Sequence, residues 1–531
     1  MEALKYPMKM AFLWSEGLFD RFFGPKWNPF YCLGALGYYY YWVVAVSGVY
    51  IYIFFDTGVP QAYESVEYMT HEQWWLAGIM RSVHRYASDA MVVMVLMHFC
   101  REFAFDRYRG GRWFSWVTGT ATIWLVFSAG VTGYWLVWDK LAQYIAIASM
   151  EWMDWLPIFG EPMARNFMAP SHFDGRFFTL LVFMHIAIPL ILLFIMWFHL
   201  QRINYAKVNP ARGLAIGTTL MLVVISLVKP AVSHEMANLA EVPGVLKLDW
   251  FYLWAFPMIE HLGPGFMWGF AGIGTVLLFA VPWLPPKKRK VPAVVNLDNC
   301  NGCTRCVTDC PFRAVNMRQR TDGAPFKEEA VVDPDMCVSC GICVGACPTA
   351  MPFRRAGDLV AGIELPDFSV AMLRDQVRDA TQPLAGRDRV LVFGCNHGCH
   401  AGHLGLKNAA LIQLRCSAML PPSFIDYTLS KNLADGVVIT GCREGECHHR
   451  IGNIWTDGRM DRTRDPQLRR RVPTERLLRV WAGPTDRKRL ASEIEEFQNR
   501  LRELPDDKGP ARLHVIDGGR GPDSGETETA A

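Results

Sequence analysis

The chain has 531 residues, 51% of them hydrophobic and 13% aromatic, with 54 Lys and Arg against 51 Asp and Glu for a net charge of +3. That length exceeds what one hydrophobic core organises, so several domains are expected. A balance so near neutral provides no basic surface for nucleic acid, which is excluded as a partner.

Residues 1–29, beginning "MEALKYPMKMAFLWSEGLFDRFF", mix basic and acidic residues with bulky apolar ones and lack a small-residue cleavage site. They read as an amphipathic helix at a membrane interface rather than a signal peptide. Apolar runs long enough to span a bilayer follow at roughly 31–55, 77–100, 113–138, 176–200, 211–229 and 266–284. The connections at 101–112, 201–212 and 287–290 carry eleven Lys and Arg, and the opposite ones at 56–75, 139–172 and 229–249 carry four. The positive-inside bias therefore predicts six spans, with both termini and everything beyond residue 290 in the cytoplasm. The expected location is the inner membrane of a bacterium.

Two of these runs, "HRYASDAMVVMVLMH" at 84–98 and "HIAIPLILLFIMWFH" at 185–199, each begin and end on histidine. Fourteen residues rise about 21 Å along a helix and return to nearly the same face. Both runs point from outside to inside, so His84 pairs in depth with His185, and His98 with His199. Two stacked bis-imidazole sites suit two b-type haems. Four unrelated hydrogen-bonding histidines would not repeat one interval at matching depth. Gly34 and Gly48 in the first run, and Gly119 and Gly133 in the third, share that interval. Glycine there lets a flat macrocycle approach the backbone closely. Arg81 and Arg101 stand where haem propionates would emerge, or snorkel to the interface.

With these residues, "MRSVH", "HFCR", "GRFFTLLVFMHIAIP" and "TGYWLVW", residues 30–290 resemble cytochrome b of the quinol-oxidising bc and b6f complexes. The resemblance implies an outer haem on His84 and His185, an inner haem on His98 and His199, and a quinone site at each side. The family's outer site has a Pro-Glu-Trp-Tyr motif whose glutamate takes a quinol proton. Here "KLDWFYLW" stands in its place, which makes Asp249 the candidate catalytic carboxylate, the bland reading being a solvated loop acid. "LVWD" likewise departs from the family's Pro-Trp-Gly.

Thirteen of the fifteen cysteines lie between 300 and 447, at spacings that suit metal ligation in a reducing compartment better than disulfides. "CNGCTRCVTDCP" and "CVSCGICVGACP" each read C-x2-C-x2-C-x3-C-P, the two-cluster ferredoxin run in which the fourth cysteine serves the other cluster. Residues 291–357 are thus expected to hold two [4Fe–4S] clusters, one on Cys300, Cys303, Cys306 and Cys347, the other on Cys337, Cys340, Cys343 and Cys310. A four-thiolate zinc site rarely has so tight a run.

After an expected linker at 358–387, "RVLVFGC" and "GVVITGC" are β-runs ending in cysteine, and "PPSFIDYTLSKNLA" is helical. They predict a small α/β domain over 388–504 with Cys395, Cys399, Cys416, Cys442 and Cys447 at one edge. "RCSAMLPPSFIDYTL" and "GCREGECHHRIGN" resemble the small iron–sulfur subunit of methyl-viologen-reducing hydrogenase, also found fused to heterodisulfide-reductase-like proteins. That resemblance implies a [2Fe–2S] cluster on four of the five. His397, His400, His448 and His449 could replace a ligand, or lie around the site or toward solvent. The tail at 505–531 is expected to be disordered.

The fold class expected is therefore multidomain: a six-helix membrane bundle, a cytoplasmic ferredoxin fold and a small α/β iron–sulfur domain. No G-x-G-x-x-G follows a strand, so no flavin or nicotinamide is expected on this chain. The expectation is a quinone oxidoreductase subunit carrying electrons through [2Fe–2S], two [4Fe–4S] and two haems to a membrane quinone. The donor-oxidising chemistry would belong to a cytoplasmic flavoprotein of heterodisulfide-reductase type. A homodimer within a larger complex is compatible with this. The alternatives are a redox-sensing membrane tether, and quinol oxidation of bc type with a separate acceptor.

Overall fold

A computed structural model of the protein describes residues 2–158, 175–286, 290–353, 358–400, 402 and 404–504. The expected disordered tail, part of "KKRK" and part of the 139–172 connection lie outside the described residues.

The N-terminal half is helical: α1 (Glu2–Phe23), α2 (Leu33–Phe54), α3 (Val59–His71), α4 (Ile79–Ala104), α5 (Trp113–Val137), α6 (Lys140–Asp154), α7 (Gly175–Gln201), α8 (Arg212–Val228), α9 (Ala255–Leu262) and α10 (Pro264–Ala280). All six apolar runs are helices. By length and apolarity four of them qualify as spans: Pro29–Phe54, Gly110–Val137, Gly175–Gln201 and Pro264–Trp283. α8 has only 17 residues; α4 has 26 but carries Arg81, Arg85, Asp89 and Arg101. Charges cost least inside a bundle, and α4 lies there, packed along α2 while α5 packs along α7. Each histidine-bearing helix thus lies against a glycine-bearing one.

α1 lies across the end of α4. It buries Lys5, Leu13 and Glu16, with Lys5 Nζ 2.5 Å from Asp106 Oδ1. Leu4, Tyr6, Met10 and Trp14 stay exposed, the two-faced character expected of this segment.

Beyond residue 290, β1 (Val294–Val295) pairs with β4 (Ile363–Glu364), and β2 (Val315–Gln319) with β3 (Glu328–Val332), both antiparallel. Short helices α11 (Arg305–Asp309) and α12 (Ile342–Ala346) begin inside the two cysteine runs. The stretch 358–387 is not a linker. It supplies β4 and then α13 (Val370–Thr381), where the Ser369 side chain accepts from Met372 N. Val370, Leu373 and Val377 form an apolar stripe at helical spacing, hidden in the sequence among charged neighbours. They join one core that runs from Ala293 to Val472, so the ferredoxin-like and C-terminal modules share a hydrophobic interior.

The C-terminal module is a four-stranded parallel sheet, ordered β6-β5-β7-β8, from β5 (Val390–Cys395), β6 (Ala409–Leu414), β7 (Gly436–Gly441) and β8 (Leu477–Trp481). β5 and β7 are buried throughout, as central strands covered on both faces must be. Helices α14 (Ser423–Ser430), α15 (Gly452–Met460) and α16 (Arg487–Glu503) complete it. The chain leaves β5 for β6 on one side and returns to β7 on the other, which opens a crevice at the carboxyl ends of these strands.

Candidate functional site

The four histidines of α4 and α7 meet as two pairs. His84 and His185 have ring centroids 6.4 Å apart, a separation that would accept one metal ion between the two rings at about 2 Å from each nitrogen. His98 and His199 line one cavity of about 320 Å³ at the other end of the same helices. Each glycine backs onto one imidazole, and Gly34 and Gly119 also line that cavity. A Cβ would lie 2.9 Å from His84 Cε1 at Gly48, 3.0 Å from His185 Cε1 at Gly133, and 3.3 Å from His98 Cε1 at Gly34 and from His199 Cε1 at Gly119.

The ring orientation follows from a pattern the sequence reading missed. His84 Nδ1 donates to the carbonyl of Val44 at 2.9 Å, four residues before Gly48. His185 and His199 bond the backbone of Ala129 and Ser115, four residues before Gly133 and Gly119. A hydroxyl just ahead of three of the four glycines adds a second contact, Gly34 following Leu33 instead: Ser47 Oγ at 3.2 Å from His84 Nδ1, Thr132 Oγ1 at 3.2 Å from His185 Nδ1 and Thr118 Oγ1 at 3.0 Å from His199 Nδ1. With Nδ1 engaged, Nε2 is free to ligate iron, the arrangement that orients metal-bound imidazoles. The repeated Ser/Thr-Gly dipeptide was the available signal. These residues fit two haems.

The two arginines expected near haem propionates have protein partners, and Arg101 also lines the cavity of His98 and His199. Arg81 donates to Thr70 Oγ1 and, at 2.7 Å, to Ser233 Oγ. Arg101 Nε donates to Glu16 Oε1 at 2.8 Å, and its guanidinium stands 3.4 Å from Glu446 Oε1. Arg101 thereby ties α1 and α4 to the C-terminal module. Arg107 donates to the carbonyl of Glu446 at 3.1 Å and Arg112 to that of His448. Asn204 Nδ2 donates to the carbonyl of Cys310 at 2.8 Å, and Tyr205 Oη to that of Thr308 at 3.1 Å. The basic connections that indicated orientation are therefore the surface on which the cysteine-rich modules sit.

The thiols fall into three sets. Cys300, Cys303, Cys306 and Cys347 line one small cavity; Cys310, Cys337, Cys340 and Cys343 line a second. Both follow the exchange of the fourth cysteine between runs. Burial and the neighbouring thiols push the Cys306 thiol up to about 12, and the backbone N–H of Ala314 donates to Cys310 Sγ at 3.3 Å. Such dry, amide-lined thiol cages fit [4Fe–4S] clusters. The third set is Cys395, Cys416, Cys442 and Cys447, free thiols that lie side by side, Cys442 beside Cys395 and Cys447, and Cys447 beside Cys416. A Cβ on Gly452 would lie 2.5 Å from Cys416 Sγ, so the cage needs glycine there. Cys399 stands apart, buried among Val390, Val392 and Val438. The set of four fits a small cluster, and Cys399 is the cysteine to leave out.

The order of the sets differs from the expected one. The expected chain placed the C-terminal cluster farthest from the haems. Cys447 instead lines the same cavity as His98 and His199, and Cys340 packs with Cys416 in one small core. Cys303, in the first set, is exposed. Buried Arg459 locks the modules together, donating to Asp309 Oδ2 at 2.5 Å and to the carbonyl of Ala418 at 2.6 Å.

His397, His448 and His449 do not face solvent; their ring nitrogens gather within 4.8 Å of one another. His397 and His448 stack face to face, centroids 3.6 Å apart and planes 2° from parallel. An ion cannot lie in both of two parallel planes, so this is a poor metal site. Burial, with Lys290 and Arg112 nearby, pushes His397 down to about 4. The rings pack as neutral imidazoles beside Cys447.

Asp249 is not a solvated loop acid. Its Oδ1 accepts from the backbone N–H of Phe251 at 2.8 Å and of Tyr252 at 2.9 Å, and its Oδ2 accepts from Arg85 at 2.8 Å.

Paired imidazoles in a helical bundle, joined to thiol cages, define a class: electron-transfer proteins of membranes. The segments within that class are given by family models. Residues 18–207 match cytochrome b/b6/petB, 299–351 a 4Fe-4S dicluster domain, and 391–505 the delta subunit of methyl-viologen-reducing hydrogenase. The three-part fusion expected from the motifs is what these matches show. A cytochrome b domain implies haem and a dicluster domain implies iron–sulfur clusters. Among solved structures, one titled "Hyperthermophilic respiratory Complex III" is similar at 19% identity and a TM-score of 0.39, over 48% of this chain and 75% of that chain; so slight a likeness carries no argument.

Proposed function

We propose that this chain is the membrane subunit of a dehydrogenase–quinone oxidoreductase, receiving electrons from a cytoplasmic flavoprotein of heterodisulfide-reductase type and delivering them to a quinone. The observation that carries the reading is the cavity shared by His98, His199 and Cys447, across which electrons would pass from the thiol sets to the histidine pairs. Cys300, Cys303, Cys306 and Cys347 would hold a [4Fe–4S] cluster where the donor docks, at exposed Cys303. Cys310, Cys337, Cys340 and Cys343 would hold the second, Cys395, Cys416, Cys442 and Cys447 a [2Fe–2S], and the histidine pairs two b haems. These groups supply one-electron chemistry. The chain's own residues order them, exclude water and, at the far pair, present carboxylates for the quinone's protons.

In the orientation favoured by the basic connections, the far pair is outer and the modules are cytoplasmic. Electrons then move toward the positive side, with the membrane potential contributing about 2.3 kcal/mol per charge per 100 mV. The test is to reduce the purified protein and add a short-chain benzoquinone. Reoxidation of both haems is expected; haems that stay reduced, in a preparation with no copurifying flavoprotein, would sink the reading.

A further inference from the structure

Asp89 was not singled out by any motif. It stands five residues after His84 on α4, a rise of about 7.5 Å, inside the helix bundle. Arg85 Nε lies 3.2 Å from Asp89 Oδ2, and the same guanidinium reaches Asp249 Oδ2 at 2.8 Å. Two carboxylates therefore share one cation. If both were ionised, a net negative charge would sit in a membrane interior, a costly state. One proton removes it.

The hydrogen bonds say where that proton goes. Three donors converge on Asp249, two backbone N–H groups and Arg85, and donors to a carboxylate favour its ionised form. Asp89 Oδ1 is buried with no hydrogen-bond partner among the described residues. The remaining groups around the pair are Tyr134, whose ring lies 4.4 Å from the Arg85 guanidinium, Tyr86, whose hydroxyl donates to the carbonyl of Lys229, and Tyr252, whose hydroxyl lies 2.5 Å from Ser88 Oγ. None of these is a carboxylate; the nearest further cation, Arg81, lies one turn away on α4 close to Arg85 and is bound to Thr70 and Ser233.

We infer that Asp89, not Asp249, is the carboxyl that takes up and gives away a proton at the far histidine pair, with Arg85 and Asp249 as its positioning residues. This rests on the quinone reading above and deepens it. Each electron arriving at the far pair adds negative charge near Asp89, and in a low-dielectric interior that charge draws one proton from the adjacent aqueous phase onto Oδ1. Two electrons and two protons, passed on in two such rounds, convert one quinone to one quinol.

The test is a redox titration of the full-length haem-loaded protein over a series of pH values. The unmutated protein should show a far-haem midpoint that falls as pH rises. Asp89→Asn should abolish that slope and leave the near haem unchanged, while Asp89→Glu should keep it and Asp249→Asn, which leaves Arg85 to Asp89 alone, should move it to lower pH. A slope that survives in Asp89→Asn, or that disappears only in Asp249→Asn, overturns the assignment. In the unmutated protein, reduced-minus-oxidised infrared difference spectra should show a protonated carboxyl appearing on reduction; its absence also overturns it. Failure of the quinone reading is seen separately, as unmutated haems that benzoquinone does not reoxidise.

Discussion

The two ends of the haem-binding helices use the same device for different ends. At the near end Arg101 lies between Glu16 and Glu446; at the far end Arg85 lies between Asp89 and Asp249. The near carboxylates come from α1 and from the C-terminal module, 85 and 345 residues from the arginine, so that triad is a joint between separately folded parts. At the far end one carboxylate is on the arginine's own helix and the other on a loop, so no domain is held. An arginine between two acids is thus a clamp where it joins separate modules, and would be free to serve as a proton site where all three groups belong to one helical bundle.

Breaking the near end should have the largest effect. Cys447→Ala should cut haem reduction by the donor at least about 100-fold, as loss of a group in a one-electron relay does, while both ferredoxin clusters remain reducible. Stopped-flow spectra at the haem bands check this. Cys399→Ala, outside the cage, should leave the rate unaltered, and an equal loss in both variants would refute the division of the five cysteines.

At the far end, His84→Ala should remove one b-haem signal and leave the near haem reducible through the thiol sets. Equal loss of both haem signals from a normally inserted protein would contradict the pairing.

The glycines separate the ends by degree. An added Cβ would meet the far imidazoles at 2.9 and 3.0 Å but the near ones at 3.3 Å. Overpacking typically costs about 1–3 kcal/mol, so Gly48→Ala should lower thermal stability and shift the low-spin haem EPR signal. Gly34→Ala should do less of both. Equal shifts would mean that the two pairs are equally tight.

The smallest effect concerns pH at the near joint. Burial, with Glu446 beside it and despite Arg101, pushes the Glu16 carboxyl from its ordinary 4.5 up to about 7. The folded protein binds this proton more tightly than the unfolded chain, so the contribution is complete below about 4.5 and lost as pH rises through 7. Hydrogen-exchange protection in α1, taken relative to the intrinsic base-catalysed rate, should therefore fall modestly between pH 5 and 8. Glu16→Gln should flatten the trend; a trend unaltered by that substitution would place its origin elsewhere.

What the sequence by itself determined was local chemistry. Ligands fourteen apart on a helix, or three apart on a loop, are held together by covalent geometry, so His84 and His98, or Cys300 and Cys303, could be read as site residues without a fold. The exchange of Cys310 and Cys347 was legible because their run has one known way to close. Tertiary structure alone decided which site adjoins which. Cys447 and His199 lie 248 residues apart and meet only because Arg107 and Arg112 bond the loop that carries Cys447. Cys395 and Cys399 look alike in sequence and differ because β5 ends with one side chain in the crevice, while the turn that follows buries the other among valines. Asp89 passed as an ordinary polar residue in an apolar helix, since a charge shows its role only once its partners are in place. Those partners, Asp249 above all, come from a loop 160 residues away.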